Sequence, residues 1–256
     1  MHHKRYSVIS VLRRSCNLRK VVQFLKSLRL TSGDYNLIIA SNGDFNLSSE
    51  LDSLGFEGYE VIKNKFNVNV ATGINQCLSL SAFSDYSIYI NFEKSMILDP
   101  DWIGSVDSYI DDRFVIGGTK SEVKISNDNF NLIHQASKSV SGNLAWIEGA
   151  MVSKNVLECI DGNVFVMNNE VIKEVGGANG FECDDENFCT ELSFRLLANG
   201  YELSGMDEVQ SNSSAYCGTD LIREIAEGAE VICPVLNDSD RLKFLNKEID
   251  NAAYNL

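Results

Sequence analysis

The stretch that decides the fold reads YSIYI at residues 86–90 and continues directly into Asn91-Phe92-Glu93. A run dominated by aromatic and β-branched residues, with no glycine or proline, is typical of a buried β-strand. The polar cluster after it is typical of a loop, and it brings an amide and a carboxylate to the end of the strand. The sequence therefore predicts a strand that ends at a polar site.

Upstream of this strand, short apolar runs alternate with segments of helical periodicity, and these predict strands and helices in alternation. The predicted strands are Tyr6–Leu12, Tyr35–Ala40 and Tyr59–Ile62, and the predicted helices are Leu18–Leu28, Leu47–Leu54 and Val70–Phe83. Strands joined through helices pair in parallel with right-handed crossovers. The first part of the chain therefore predicts a mostly parallel sheet.

Polar loops follow all four predicted strands. In open α/β sheets ligands bind outside the carboxyl ends of the strands, so these loops are expected to share one rim. The loops are Leu12–Asn17, Ser41–Asp44, Asn64–Asn69 and Asn91–Lys94.

The second part of the chain is patterned less regularly. Residues 111–141 are polar, apart from a strand-like segment at Phe114–Ile116, and predict edge strands and loops. Residues 211–256 have helical tendency. Between residues 141 and 211 we predict a strand at Asn163–Met167 and a short helix at Glu170–Val175 that ends at Gly176-Gly177. An amphipathic helix at Glu186–Asn199, with a Glu191/Arg195 pair, and a strand that reaches Leu203 follow.

Composition argues against several functional classes. The 256 residues are 44% apolar and 23% charged, as in globular chains with a sizeable core, and the formal net charge is −14. An acidic chain is a poor binder of nucleic acid backbones. A local cluster at Arg13, Arg14, Arg19 and Lys20 suits either an anionic small ligand or a solvated helix start.

Cysteine usage and hydropathy bear on the compartment. The seven cysteines are odd in number, scattered and without a CxxC pair, which favours a reducing environment. No apolar run has the length of a transmembrane helix, and the N-terminal run is too short for a secretory signal. We expect a cytoplasmic protein without a transmembrane segment.

Several short motifs occur in a characteristic order over about residues 6–205. They are Ser7–Val11, Ser41-Asn42-Gly43, Asn67–Asn75, Tyr89–Glu93 with Pro100-Asp101-Trp102 downstream, Gly162–Gly177, and Thr190–Arg195 with Gly200-Tyr201. Their order and spacing resemble those of the family 2 glycosyltransferases, enzymes of the GT-A fold that use a sugar nucleotide donor.

The resemblance implies a GT-A-like (Rossmann-like) α/β fold: a mixed, mostly parallel central sheet flanked by helices in a single domain. We expect a glycosyltransferase domain at residues 1–210, with a nucleotide-binding half at about 1–105 and an acceptor half at about 106–210. Residues 211–256 are expected to form a helical extension packed on it. The implied activity is hexosyltransferase-like transfer, inverting, from a nucleoside diphosphate sugar to a glycan or other hydroxyl acceptor in polysaccharide biosynthesis.

The resemblance also implies ligands for the donor. In the family a carboxylate pair after the fourth strand holds a divalent cation on the diphosphate, and here that position is Asn91-Phe92-Glu93. Glu93 is thus the predicted ligand for Mg²⁺ or Mn²⁺, and a solvated loop acid is the alternative. The residues expected to bind the nucleotide sugar are Leu12, Arg13, Asn42, Asp44, Asn67, Asn75 and Asn91. A plain turn at Ser41–Asp44, and helix caps at Asn67 and Asn75, are the alternatives.

The catalytic base is predicted from the same resemblance. Phe188 and Cys189 stand where the family has its acidic pair, so the base is expected one helical turn upstream, at Asp184, Asp185 or Glu186. N-capping and helix-dipole contacts are the alternative role of these acids. His134 and Glu148 are candidates to line an acceptor groove.

Two further classes of function remain open. The altered acidic motifs favour a GT-A-like binding or scaffold domain without turnover. A nucleotidyltransferase of related topology is disfavoured because no glycine-rich signature loop follows the first strand.

Overall fold

The computed structural model describes residues 5–97, 100–124, 156–178, 188–206 and 222–224. The strands are β1 Tyr6–Leu12, β2 Tyr35–Ser41, β3 Tyr59–Lys63, β4 Tyr86–Ile90, β5 Ser95–Ile97, β6 Ile116–Lys124, β7 Val156–Asn168, β8 Leu203–Gly205 and β9 Ile222–Glu224. The helices are α1 Leu18–Arg29, α2 Leu47–Ser53, α3 Val70–Leu80, α4 Trp102–Asp107, α5 Asn169–Glu174 and α6 Phe188–Ala198.

The central sheet is mixed, with the strand order β3-β2-β1-β4-β7-β6-β8. The four strands of the first part of the chain pair in parallel, as their helical connections require. β7 runs antiparallel to both β4 and β6, and β8 runs parallel to β6. The predicted mixed, mostly parallel α/β fold is confirmed.

Helices cover both faces of the sheet. Successive residues of β1 point to opposite faces, so Val8 packs with α1 and Ile9 packs with α3 and α6. Gly73 lets α3 lie close against β1, because a Cβ atom there would stand 2.6 Å from Val11 Cγ1. Burial on both faces explains why the parallel strands read as almost continuous apolar runs.

Several predicted boundaries differ from the observed ones. α3 ends at Leu80 rather than Phe83, and the Ser81 hydroxyl donates to the Cys77 carbonyl just past its end. β7 is much longer than the predicted strand 163–167, because its first residues pair with β6. Residues Ile222–Glu224, where we predicted helical tendency, form a strand paired with β5.

Candidate functional site

The four polar loops meet at one rim of the sheet, as predicted. The Asn42 N–H donates to the Leu12 carbonyl at 2.9 Å, and the Asn64 N–H donates to the Ser41 carbonyl at 2.9 Å. On the other side, the Asn17 N–H donates to Glu93 Oε1 at 2.5 Å. Each loop is therefore bonded to a neighbour at the carboxyl ends of β1 to β4.

The turn Asn91-Phe92-Glu93 has one apolar anchor between its two polar residues. Phe92 is buried and stacks on Phe24 of α1, with ring centroids 4.2 Å apart and an interplanar angle of 18°. The Asn91 N–H donates to the Asn163 carbonyl at 2.8 Å, which continues the pairing of β4 with β7 by one residue. The Asn91 side-chain oxygen accepts from the Glu93 N–H at 3.2 Å, a local bond that shapes the turn.

Glu93 reaches the N-terminus of α1. Its acceptor contact is the backbone N–H of Asn17, and Asn17 is the N-cap residue, whose side-chain oxygen accepts from the Arg19 N–H at 3.1 Å. The exposed N–H groups and the dipole of a helix N-terminus stabilise a carboxylate. The carboxylate of Glu93 is thus held on the rim by the main-chain N–H of Asn17.

The half-buried thiol of Cys16 lies beside this carboxylate. Burial, and secondly the negative charge of Glu93, raise the pKa of Cys16 to about 11 from an ordinary 9.0. The thiol is therefore protonated at neutral pH, and the charge at position 93 is one of the two causes.

We predict that Glu93→Gln speeds alkylation of Cys16 by iodoacetamide at pH 8 by about twofold, because a lower pKa of the thiol raises the thiolate fraction more than it lowers the nucleophilicity of the thiolate. The neutral amide removes a charge that disfavours the thiolate and keeps an oxygen for the Asn17 N–H. Mass spectrometry of the peptide that carries Cys16 measures the rate. Asp44→Asn removes a rim charge elsewhere and is expected to leave the rate unchanged. An unchanged rate in Glu93→Gln would contradict the proximity of the two groups.

The donor set on the rim is compatible with a divalent cation that also binds phosphate. Among the residues that the structure describes, no three His, Cys, Asp or Glu side chains come together as a metal site. Mg²⁺, however, is commonly held by one or two carboxylates together with substrate phosphates. Glu93 supplies one carboxylate, whereas the Asn91 oxygen already accepts from the turn.

A network of side-chain amides fixes the loop at residues 64–69. Asn42 Nδ2 donates to the Val68 carbonyl at 2.7 Å, and Asn42 Oδ1 accepts from the Val68 N–H at 3.3 Å. Asn64 Nδ2 donates to Asn42 Oδ1 at 3.1 Å, and Asn64 and the buried Gln76 exchange two hydrogen bonds of 3.0 and 2.7 Å. The predicted ligand residue Asn42 therefore uses its amide to hold a neighbouring rim loop.

The other predicted nucleotide ligands differ in exposure. Asp44 and Asn67 are exposed, Arg13 is half-buried, and Leu12 is buried, with its carbonyl bonded to Asn42. Asn75 is buried in α3, where its amide exchanges two hydrogen bonds with the main chain of Ala178, at 2.7 and 2.8 Å.

The charge on the rim is opposite to that of the whole chain. The four loops, with the last residue of β3, carry more basic than acidic side chains, although the chain has a formal net charge of −14. The basic residues are Arg13, Arg14, Lys63, Lys65 and Lys94, and the acidic ones are Asp44 and Glu93. A local excess of cations within an acidic protein concentrates anionic ligands at that position.

The segment at residues 175–178 is hydrogen-bonded to two helices, α6 and α3. Arg195 of α6 is fully buried and donates to the carbonyls of Val175 and Gly177 at 2.6 and 2.8 Å, while α3 holds Ala178 through Asn75. The Arg195 guanidinium is also bonded to both carboxylate oxygens of Glu191. This segment leads into Asp184, Asp185 and Glu186. Those three acids lie outside the described residues, as do His134 and Glu148.

Solved structures match this architecture, although no protein-family model and no curated protein matches the chain by sequence. Mannosyltransferase PcManGT from Pyrobaculum calidifontis, in complex with GDP-Man and Mn²⁺, matches with a TM-score of 0.52 and 12% identity over 80% of this chain and 55% of that one. S. aureus TarS 1–349 matches with a TM-score of 0.51 and 12% identity over 78% of this chain and 57% of that one. The chain has the GT-A fold.

The same TarS fragment in complex with UDP-GlcNAc matches with a TM-score of 0.51 and 11% identity, over 78% of this chain and 55% of that one. The chain thus spans little more than half the length of each of these GT-A proteins. No helix in the described parts of this GT-A chain is both long enough and apolar enough to cross a membrane.

Sequence reasoning missed several residues that build the site on this GT-A scaffold. Asn163 carries the main-chain partner of Asn91, Gln76 completes the amide network, and Cys16 lies beside Glu93. The amide-rich composition of residues 64–76 was a visible signal for Gln76. The contact with Asn163 depends on the register between β4 and β7, for which the sequence gives no local signal.

Proposed function

We propose that the chain is an inverting glycosyltransferase of family 2 type, hexosyltransferase-like, that transfers a sugar from a nucleoside diphosphate sugar to a glycan or other hydroxyl acceptor. The observation that carries the proposal is the combination of the Glu93 carboxylate with an excess of cations on the carboxyl rim of a GT-A fold. A diphosphate needs cationic groups around it, and a carboxylate is the protein ligand that a bridging divalent cation uses.

The donor is proposed to lie across the ends of β1 and β2. The exposed residues Asp44 and Asn67, together with Arg13, are the groups we expect to contact it. Leu12 and Asn42 are proposed to hold the loops of this surface in place, since the Leu12 carbonyl and the Asn42 amide are bonded to neighbouring rim loops. Asn91 shapes the turn that carries Glu93, and Asn75 acts on the acceptor side through Ala178.

Glu93 is the proposed protein ligand for Mg²⁺ or Mn²⁺. When bound, the cation supplies positive charge that stabilises the developing negative charge of the diphosphate leaving group. The chain's own contribution is to hold the carboxylate in place, through the Asn17 N–H and the buried anchor Phe92.

The acid cluster at Asp184, Asp185 and Glu186 is proposed to supply the catalytic base. One carboxylate takes the proton of the acceptor hydroxyl, the acceptor oxygen attacks the anomeric carbon, and the bond from that carbon to the β-phosphate oxygen breaks. The nucleoside diphosphate leaves, and one in-line displacement inverts the anomeric centre. Arg195 and Asn75 support this role because they fix residues 175–178, which precede the acids in sequence.

We further propose that residues 1–210 form the catalytic domain, with donor and acceptor halves at about 1–105 and 106–210, and that residues 211–256 pack on it. A reducing, cytoplasmic location and a role in polysaccharide biosynthesis complete the proposal. Cys16, Cys77, Cys159 and Cys189, which are not in disulfides, support the location.

The competing function is a GT-A-like binding or scaffold domain. The observation in its favour is that Phe188 and Cys189, which stand where the family has its acidic pair, are each 1% exposed and belong to the core. Neither side chain can act as a carboxylate base.

Calorimetric titration with UDP-GlcNAc, GDP-Man and a dTDP-sugar, with and without Mn²⁺, tests the proposal. We expect one donor to bind in a Mn²⁺-dependent manner and to be hydrolysed slowly, and Glu93→Ala to weaken that binding at least about tenfold, or 1.4 kcal/mol. Glu57→Ala, which removes an exposed acid near the amino end of β3, is the control and is expected to bind like the parent.

Two results would contradict the enzyme proposal. No binding of any donor would exclude a sugar nucleotide site. A second result is Mn²⁺-dependent binding of a donor without hydrolysis or transfer, with the same affinity in Asp185→Asn and Glu186→Gln. That result would favour the scaffold domain.

A further inference from the structure

Phe66 projects from the rim with 82% of its surface exposed. It lies in the loop at residues 64–69, between Lys65 and Asn67, which are also exposed. Single exposed apolar side chains are common on proteins, so exposure alone indicates nothing. The position of Phe66 and the way its loop is held carry the inference.

The loop that presents Phe66 is fixed on both sides of it. Asn42 exchanges two hydrogen bonds with the main chain of Val68, and Asn64 is bonded to Asn42 and to the buried Gln76. Because the backbone of this loop is already fixed, binding at the ring orders only the two side-chain torsions of Phe66. The loop therefore presents the ring at a fixed place on the rim, open to a planar ligand group.

Position distinguishes Phe66 from the other large apolar side chains that the described part of the chain exposes. Leu30 follows the C-terminus of α1 and Phe83 follows that of α3, and both lie at the amino end of the sheet. Phe66 lies at the carboxyl end, in a loop that is bonded through Val68 to Asn42 at the end of β2.

Charge favours a nucleotide over an apolar partner. Lys63 and Lys65 flank Asn64 immediately before Phe66, and both are exposed on a rim with an excess of basic groups. An isolated ring among lysines lacks the contiguous apolar area of a protein-docking surface. An aromatic face beside cations matches a ligand that combines a π-face with phosphate charges.

We infer that Phe66 is the stacking platform for the nucleobase of the donor, with Lys63 and Lys65 on the side of its phosphates. This inference rests on the proposed function and assigns a contact to a residue outside the predicted ligand set. Stacking of one base on an aromatic side chain typically changes affinity by about tenfold or more.

The test compares UDP, GDP, UDP-GlcNAc and inorganic diphosphate as ligands of the full chain in Mn²⁺. Phe66→Ala is expected to weaken binding of the preferred nucleotide about tenfold and to leave binding of inorganic diphosphate unchanged. Phe66→Trp is expected to retain affinity, and its fluorescence, measured against the parent chain, is expected to be quenched by the nucleotide. Phe83→Ala is the matched control and should bind like the parent.

The outcomes separate this inference from the proposed function. Nucleotide affinity within twofold of the parent in Phe66→Ala, with the parent binding well, overturns the stacking role alone. A loss seen with UDP-GlcNAc but not with UDP would place the sugar on the ring and also overturns it. An equal loss of nucleotide affinity in Phe83→Ala also overturns the stacking role of Phe66. Absence of nucleotide binding in the parent overturns both proposals.

Discussion

Arg195→Ala is expected to lower the free energy of unfolding by about 3–5 kcal/mol, because it removes the guanidinium that donates to both carboxylate oxygens of the buried Glu191. Both side chains are almost fully buried, with 0% exposure for Arg195 and 3% for Glu191. The substitution also removes the donors for the carbonyls of Val175 and Gly177. Urea denaturation followed by circular dichroism measures the loss.

A double substitution separates the charge from the carbonyl contacts. Glu191→Leu combined with Arg195→Met replaces the ion pair with apolar side chains, so both charges of the pair are removed together. We expect the loss of unfolding free energy in the double variant to be about 2 kcal/mol smaller than the sum of the losses in Glu191→Leu and Arg195→Met alone. Additive losses would mean that the two groups are not coupled, and a loss below about 1 kcal/mol in Arg195→Ala would contradict its role as a clamp.

Phe92→Ala is expected to lower the free energy of unfolding by about 3–5 kcal/mol. The ring is 1% exposed and stacks on Phe24, so truncation leaves a cavity between the sheet and α1. The anchor of the turn is lost with it, so Glu93 is expected to lose its fixed position on the Asn17 N–H. Thermal unfolding measures the first effect, and Mn²⁺-dependent nucleotide titration measures the second.

Phe92→Leu is the control for that prediction. Leucine keeps an apolar anchor at the same position, so we expect a loss well below that of alanine, and nucleotide binding close to that of the parent. Equal losses in the two variants would show that ring stacking on Phe24, and not burial, holds the turn. A negligible loss in Phe92→Ala would contradict the anchor itself.

Local patterns predicted the first part of the fold well. Strand β4 has the predicted bounds Tyr86–Ile90, and strand β1 has the predicted bounds Tyr6–Leu12. Both strands are buried on two faces, so most of their residues are apolar, and the polar residues after them mark the ends. The shared rim followed from this alternation, since parallel strands bring their carboxyl ends together.

Features that depend on distant partners were not predictable in the same way. The length of β7 is set by its pairing with β6, and β9 exists as a strand because it pairs with β5. The helical pair Glu191/Arg195 was visible from its spacing, but the carbonyls that Arg195 holds were not. Nor did the sequence show that the Asn42 and Asn75 amides bond to the main chain of other segments.

The place of β4 in the sheet has a consequence for the nascent chain. In the finished fold β4 lies between β1 and β7 and has no open edge. During synthesis its β7-facing edge has no partner until residues 164–168 have emerged, because these are the residues that pair with it. An apolar, β-prone segment with an open edge is a template for aggregation. The strand that specifies the fold is therefore also a segment that is prone to aggregate until residues 164–168 have been made.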